Sequence, residues 1–180
     1  TSVYGGGIVN ETTKPNPQNI RGKIRLQAET EWINTNSETS IFRVSGIYGP
    51  SRHSMIRYIN DSNEVIVKDG HFSNRIHVED LSAISIQYIT EHYNHRYLNI
   101  SDEDKIGNYD AIKYVTEQLN LVPPKIVHYN SQKVSDTLRS FYEVDRVVRS
   151  RIIGNQFKYK FRNPDYKKSL LKLTKNLIKR

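Results

Sequence analysis

The residues able to do chemistry are few, and their spacing rules out more than it allows. The chain has six histidines and no cysteine in 180 residues. Thiolate catalysis, disulfides and cysteine zinc sites are therefore excluded. His53, His71, His92, His95 and His128 show no paired metal spacing, and no His-Glu-x-x-His occurs, so no metal site is expected. His92 and His95 share a helix face at i, i+3, but no third ligand accompanies them. Glu79 and Asp80 are adjacent carboxylates, a pair that acid–base chemistry can use. They also open a helix, where negative charge favours the N-terminus, and that accounts for them without catalysis. Gly5-Gly6-Gly7 reads as a flexible loop, because no glycine-spaced phosphate turn follows it into a helix.

Charge is the other chemical signal. The net charge is +8, and from Arg146 to Arg180 there are twelve Lys/Arg against one acidic residue, Asp165. Tyr and Phe interleave with Lys in Phe157–Phe161, a pattern compatible with base stacking. Charge runs are nonspecific, and a solvated helix face explains this one; a nucleic-acid partner is not expected. No run approaches the roughly 18 apolar residues that span a membrane. No signal-peptide pattern opens the sequence, which begins at Thr1, and a cytoplasmic location is expected.

The elements that must position these residues alternate between strand and helix. Apolar spacing predicts helices over 21–33, 54–59, 78–93, 110–121 and 144–153, and a last one starting at Asn163-Pro164-Asp165. The 78–93 helix carries an apolar stripe of Leu81, Ile84, Ile86, Tyr88 and Ile89. In the 21–33 helix, Ile24, Leu26, Ala28, Trp32 and Ile33 supply the apolar positions. Strands are expected at 40–47, 64–68, 96–100 and 157–161, the last with period-two alternation. Residues 1–20 read as a strand end and a loop, with Gly5–Gly7 breaking regular structure. Strand–helix alternation in this order argues an α/β fold.

Three segments resemble the extended short-chain dehydrogenase/reductases, in particular the atypical epimerase/dehydratase-like branch. Thr1-Ser-Val-Tyr-Gly is similar to the end of the family's fifth strand. Phe42-Arg-Val-Ser-Gly-Ile-Tyr-Gly-Pro resembles its sixth strand and following turn. Asn74-Arg-Ile-His-Val-Glu-Asp-Leu resembles the segment that opens a later helix. All three come in the family's order, and the likeness extends to Ile153-Gly154 and Asn163-Pro-Asp-Tyr. It implies the C-terminal part of a Rossmann-like fold with a small substrate-side subdomain, residues 1–180 forming part of an NAD(P)-binding domain. The family's Gly-rich phosphate turn has no counterpart in this chain.

The family's chemistry rests on a tyrosine and a lysine four residues apart on one helix face. Aligned on Leu26, Ala28 and Glu29, Arg21 takes the tyrosine's place and Arg25 the lysine's. A second alignment, with Lys23 as the lysine, puts Asn19 at the tyrosine. Arginine is always protonated near neutral pH and cannot exchange protons, so no catalytic residue is assigned. Tyr4 belongs to the Val-Tyr-Gly that is structural in the family.

The resemblance also implies binding positions. Val44 and Ser45 correspond to residues beside the nicotinamide. Arg52 follows the turn that faces the substrate cleft, and Arg75 lies on the approach to the 78–93 helix. Arg43 is expected in an internal salt bridge, and His77 in a structural role. Gly46 replaces an asparagine that touches substrate, and Ser73 replaces an arginine that binds substrate phosphate. The implied cofactor is NAD or NADP, bound when the family's first half is present. The implied partners are the dinucleotide and a small-molecule substrate. A parallel sheet lacking its first strands would expose an edge and favour self-association.

Overall fold

The structure is a computed structural model that describes residues 1–61 and 63–179. Its organising feature is a strand that changes partners half-way. Ile41–Val44 (β2) runs parallel to Tyr97–Ile100 (β6), with Ile41 opposite Tyr97 and Val44 opposite Ile100. Gly46–Tyr48 (β3) runs parallel to Arg75–His77 (β5). Between them the Ser45 N–H still donates to the Ile100 carbonyl at 2.9 Å, and the next one, Gly46, donates to Asn74 at 3.1 Å. The single strand expected over 40–47 is thus two strands hinged at Ser45. Two further parallel pairs join Glu64–Val67 (β4) to Lys125–His128 (β7), and Gly7–Val9 (β1) to Arg146–Val148 (β8). All four ladders are parallel, and the chain is α/β.

The helices are Ile20–Thr35 (α1), Ser54–Asn60 (α2), Val78–Thr90 (α3), Asn108–Gln118 (α4), Asp136–Arg139 (α5), Arg151–Asn155 (α6) and Tyr166–Ile178 (α7). Parallel partners need crossover connections, and α2 and α3 lie in the crossover from β2 to β6. One core forms where α4 packs against both α7 and β4, around Met55, Val65, Ile112, Val115 and Leu170. A second lies between α3, α6 and β6, around Ile76, Ile84, Leu98, Ile100 and Ile153. A small third cluster joins Val3, Tyr4, Val9 and Val148.

Several sequence expectations are corrected. Gly7–Val9 is a strand, because its partner lies in β8, where Gly7 faces Arg146; local glycine content carries no trace of that ladder. The 144–153 segment is a strand and a short helix. Val147 and Val148 extend into β8, and the Ser150 hydroxyl then caps α6 by accepting from the N–H groups of Ile152 and Ile153. Phe157–Phe161 is no strand. Its alternation in burial holds, but no neighbour supplies a ladder, and Lys158 adopts φ +50°. Phe157 stacks on Tyr93 with centroids 4.1 Å apart, and the Tyr159 hydroxyl donates to Asp80 at 2.8 Å. These rings are therefore committed to the protein's own packing. Helix α3 stops at Thr90, and His92 soon turns left-handed at φ +53°. Of its expected stripe, Ile84 and Tyr88 are buried, but Ile86 and Ile89 are exposed. Strand β7 and helix α5 were not foreseen from the sequence. No helix among the described residues is long and apolar enough to cross a membrane.

Candidate functional site

The first turns of α1 form one wall of a cleft of about 750 Å³. The Asn19 side chain accepts from the Gly22 N–H at 2.9 Å and starts the helix, a normal N-cap. Gly22 is buried against the opening segment. A Cβ there would lie 2.5 Å from the Ser2 carbonyl oxygen and 2.8 Å from Pro17 Cβ. Only glycine lets α1 approach this closely, and the approach brings Arg21 and Arg25, one turn apart, to the cleft. The Arg21 guanidinium lies 5.6 Å from the centroid of the Phe141 ring across it. Arg57 of α2 and Arg146 of β8 also line the cleft, and Glu64 is the one carboxylate among the described lining residues. The Arg146 Nη1 is anchored, donating to the Thr1 carbonyl at 2.8 Å.

Opposite α1, two loops meet around a carboxylate. Asp145 Oδ1 lies 2.8 Å from His71 Nδ1, and Asp145 Oδ2 lies 2.6 Å from Lys68 Nζ. Lys68 also donates to the Tyr142 carbonyl at 2.7 Å, and the His71 ring packs 4.8 Å from that of Tyr142. Burial works to raise the pKa of Asp145, but the bonds from Lys68 and His71 together outweigh it and hold the carboxyl below its usual range. His71 lines the cleft, and the structure gives its Nε2 no hydrogen bond among the described residues.

The expected site residues fall into separate places. Val44 packs against the α3–α6 core. Ser45 is buried, and its hydroxyl has no hydrogen-bond partner among the described residues. Neither is part of the arginine-lined cleft, although Gly46 beside them is. Arg52, exposed at a bridge to Gly49, and Arg75 both line a second cavity of about 590 Å³. This cavity adjoins the first through Gly46, Ser73 and Asn74. Arg75 is turned inward. Its Nη1 donates to the carbonyls of Ser73 and Ile106, both at 3.0 Å, and its guanidinium sits 3.9 Å from the centroid of Tyr166.

Sequence reasoning on spacing passed over two histidines here. His71 gains its meaning from Asp145, 74 residues away, and no local pattern announces such a pair. His53 lines the second cavity, is nearly buried and has neither ring nitrogen hydrogen-bonded among the described residues; burial lowers its pKa.

Other chemistry-bearing residues are structural. Arg43 makes the internal salt bridge expected of it, 2.7 Å from buried Glu29, and donates to the Tyr4 hydroxyl at 2.8 Å. That hydroxyl in turn donates to Asn99 at 2.9 Å. His77 caps α3, its Nδ1 accepting from the Glu79 N–H at 3.2 Å. Asp80 is fully buried and accepts from Tyr159, from the N–H of Arg162, and from both the backbone and side chain of Asn163. Among the described residues, no group of three or more acidic or histidine side chains could hold a metal ion.

Comparison with solved structures places this geometry. A functionally unknown conserved protein from Silicibacter pomeroyi DSS superimposes with a TM-score of 0.90 at 29% identity, over 98% of this chain and 64% of that one. The fold is Rossmann-like, of the short-chain-dehydrogenase kind. A dTDP-4-dehydrorhamnose reductase from Clostridium acetobutylicum ATCC 824 matches with a TM-score of 0.76 at 18% identity, over 98% of this chain and 63% of its own. A dTDP-glucose 4,6-dehydratase from Bacillus anthracis str. Ames, solved in complex with NAD, matches with a TM-score of 0.74 at 15% identity, over 99% and 59%. The chain thus spans about three-fifths of the proteins it resembles. No family model and no curated protein matches it.

Proposed function

We infer that this chain is the substrate-side, C-terminal portion of an NAD(P)-binding reductase- or epimerase/dehydratase-like protein that works without the family's tyrosine–lysine pair. Its cleft takes an anionic small molecule. The observation that carries this reading is that Arg21 and Arg25, which stand at the pair's positions, both line the cleft, joined by Arg57 and Arg146 against Glu64 alone. Guanidinium groups cannot shuttle protons near neutral pH, but they bind carboxylate and phosphate oxygens well.

The dinucleotide, NAD or NADP, supplies hydride transfer when bound. Most of its contacts come from the part of the fold this chain does not span. Val44 and Ser45 fit the nicotinamide end, because the buried Ser45 hydroxyl is free to bond an amide. Arg52, in the adjoining cavity, serves the far end of the substrate, and Arg75 shapes that end from beneath.

Calorimetric titration of the chain with inorganic pyrophosphate tests the cleft. Binding is expected, and Arg21→Gln or Arg25→Gln should each weaken it by about tenfold, the scale of one lost charge-assisted bond. Pyrophosphate that gives no heat, or binds both variants as well as the wild type, sinks the anionic reading. A longer protein containing this segment that takes up neither NAD nor NADP ends the cofactor reading.

A second reading, a non-catalytic interaction protein, has one observation in its favour. Ile20, Ile24 and Trp32 follow one another along α1 and are 68%, 59% and 66% exposed. Sedimentation over a range of concentrations separates a self-associating chain from a monomer.

A further inference from the structure

We propose that His71, positioned by Asp145 and Lys68, is the group that takes up and returns a proton in the arginine-lined cleft. The proposal rests on the reading of that cleft as the substrate site. It answers the question that reading leaves open: what replaces the proton-transfer chemistry for which Arg21 and Arg25 are unfit.

Three features of the geometry carry it. First, the carboxylate is fixed at both ends. Asp145 Oδ2 is held by Lys68 at 2.6 Å, and Lys68 is itself tied to the Tyr142 carbonyl. Asp145 thus presents Oδ1 to His71 Nδ1 at 2.8 Å in one orientation. A charged acceptor at Nδ1 selects the tautomer with its proton there, leaving the Nε2 lone pair free. Second, the ring is held without being sealed. Its side chain is 11% exposed, it packs on Tyr142, and its backbone N–H closes a turn onto the Lys68 carbonyl through Asp69 and Gly70. Third, His71 lines the same cleft as the four arginines. The charged and titratable groups around it are Asp145 and Lys68 on its Nδ1 side, Tyr142 against its face, and the cleft's four arginines and Glu64.

The step is a proton transfer. The O–H proton of a bound hydroxyl moves to Nε2, and the O–H bonding pair stays on oxygen. The negative charge that develops there lies among guanidinium groups. The positive charge gained by the imidazole is matched by Asp145 through the Nδ1–H bond. Reversal returns the proton, so nothing is consumed. Asp145 and Lys68 are positioning residues in this scheme, and His71 is the catalytic one.

The test uses the full chain and diethyl pyrocarbonate, which acylates unprotonated imidazole nitrogen, followed by peptide mapping. Exposed His92 serves as the internal reference. His71 should react, its Nε2 being open to the cleft. Asp145→Asn should slow that reaction about threefold or more relative to His92 in the same sample, because the ring loses the acceptor that orients it and keeps the lone pair on Nε2. Asp145→Glu, which keeps the carboxylate, should restore most of the wild-type rate. Pyrophosphate should protect His71 and leave His92 unchanged. A His71 that stays unmodified while His92 reacts, or that reacts as fast in Asp145→Asn as in the wild type, overturns the proposal. The two ideas fail separately. Pyrophosphate that binds by calorimetry beside an inert His71 leaves the anionic cleft standing and removes the dyad. An activated His71 that pyrophosphate neither protects nor binds near supports the dyad and removes the anionic reading.

Discussion

Helices α1 and α7 are close in length and are held in opposite ways. Helix α7 buries Tyr166, Leu170 and Leu173 against Ala111, Ile112 and Val115 of α4, while Lys168, Lys172 and Lys175 are exposed. Helix α1 buries only Gly22 and Glu29, and leaves Ile20, Ile24 and Trp32 exposed. One is fixed by an apolar stripe, the other by a glycine contact, an ion pair and one half-buried leucine, Leu26, against the Val3–Val148 cluster. The helix that carries Arg21 and Arg25 to the cleft therefore has little apolar anchorage. The same contrast appears in the two regions' buried carboxylates. Glu29 is matched by a guanidinium that bonds both its oxygens. Asp102, below the start of α7, has one oxygen bonded to the Asp104 N–H and the other without a hydrogen-bond partner among the described residues.

The largest effect is expected where a matched charge is stripped of its mate. Glu29→Ala leaves Arg43 buried with the Tyr4 hydroxyl as its remaining hydrogen-bond acceptor. Breaking a buried pair in this way costs about 3–5 kcal/mol, which urea unfolding would measure. Replacing Glu29 and Arg43 together with apolar residues should recover much of that. If the single variant loses less than about 1 kcal/mol, water reaches Arg43 and the joint is softer than its geometry suggests.

The unmatched carboxylate should act through pH. Burial pushes Asp102 up to about 7, against the Asp104 N–H and the Arg75 charge, with Asp104 and Asp80 adding to the rise. In the unfolded chain the group titrates near the ordinary aspartate value of 3.8. Below that pH both states hold the proton and nothing changes. Between about 4 and 7 the unfolded chain loses its proton while the native state keeps it. The native state then binds more protons, so stability falls as pH rises. Above 7 the loss is complete. At about 1.4 kcal/mol per unit over roughly three units, it amounts to about 4 kcal/mol. Asp102→Asn should remove that slope and be the more stable protein at pH 8. Parallel stability curves for the two proteins between pH 4 and 8 would show that Asp102 is ionised throughout.

The same contrast decides what the sequence could reveal. The stripe in α7 repeats at helical spacing, so its helix is visible in one dimension, and so are α3, α4 and the β-branched run of β2. The motif order carried the fold class further: Asn74–Leu81 leads into α3 as the resemblance implies, and Phe42–Pro50 supplies a strand and turn, although that strand is split into β2 and β3 and the pairing of β3 with β5 has no sign in the sequence. What failed depended on partners distant in sequence. Gly7–Val9 and Arg146–Val148 are strands only because they pair with each other across the chain. Phe157–Phe161 has strand alternation and no neighbour to pair with. Arg21 and Arg25 were identified by alignment, but that they line a shared cleft with Arg57 and Arg146 follows from the Gly22 contact. The link between His71 and Asp145 has no local signature at all.

The smallest effect tests the exposed face of α1. A helix held from its inner side needs nothing from its outer side chains. Trp32→Ser should therefore change the unfolding free energy by less than about 0.5 kcal/mol, the scale of a surface substitution. The measurement is informative because it depends on protein concentration. An apolar stripe covered by a second copy lends each chain stability that grows with concentration by mass action. A Trp32→Ser loss that is absent in dilute samples and appears in concentrated ones would mean that α1 is fixed from both sides, by Arg43 within and by another molecule without. A loss that is large at every concentration would mean that Trp32 packs on its own chain, and the contrast between α1 and α7 would be one of degree.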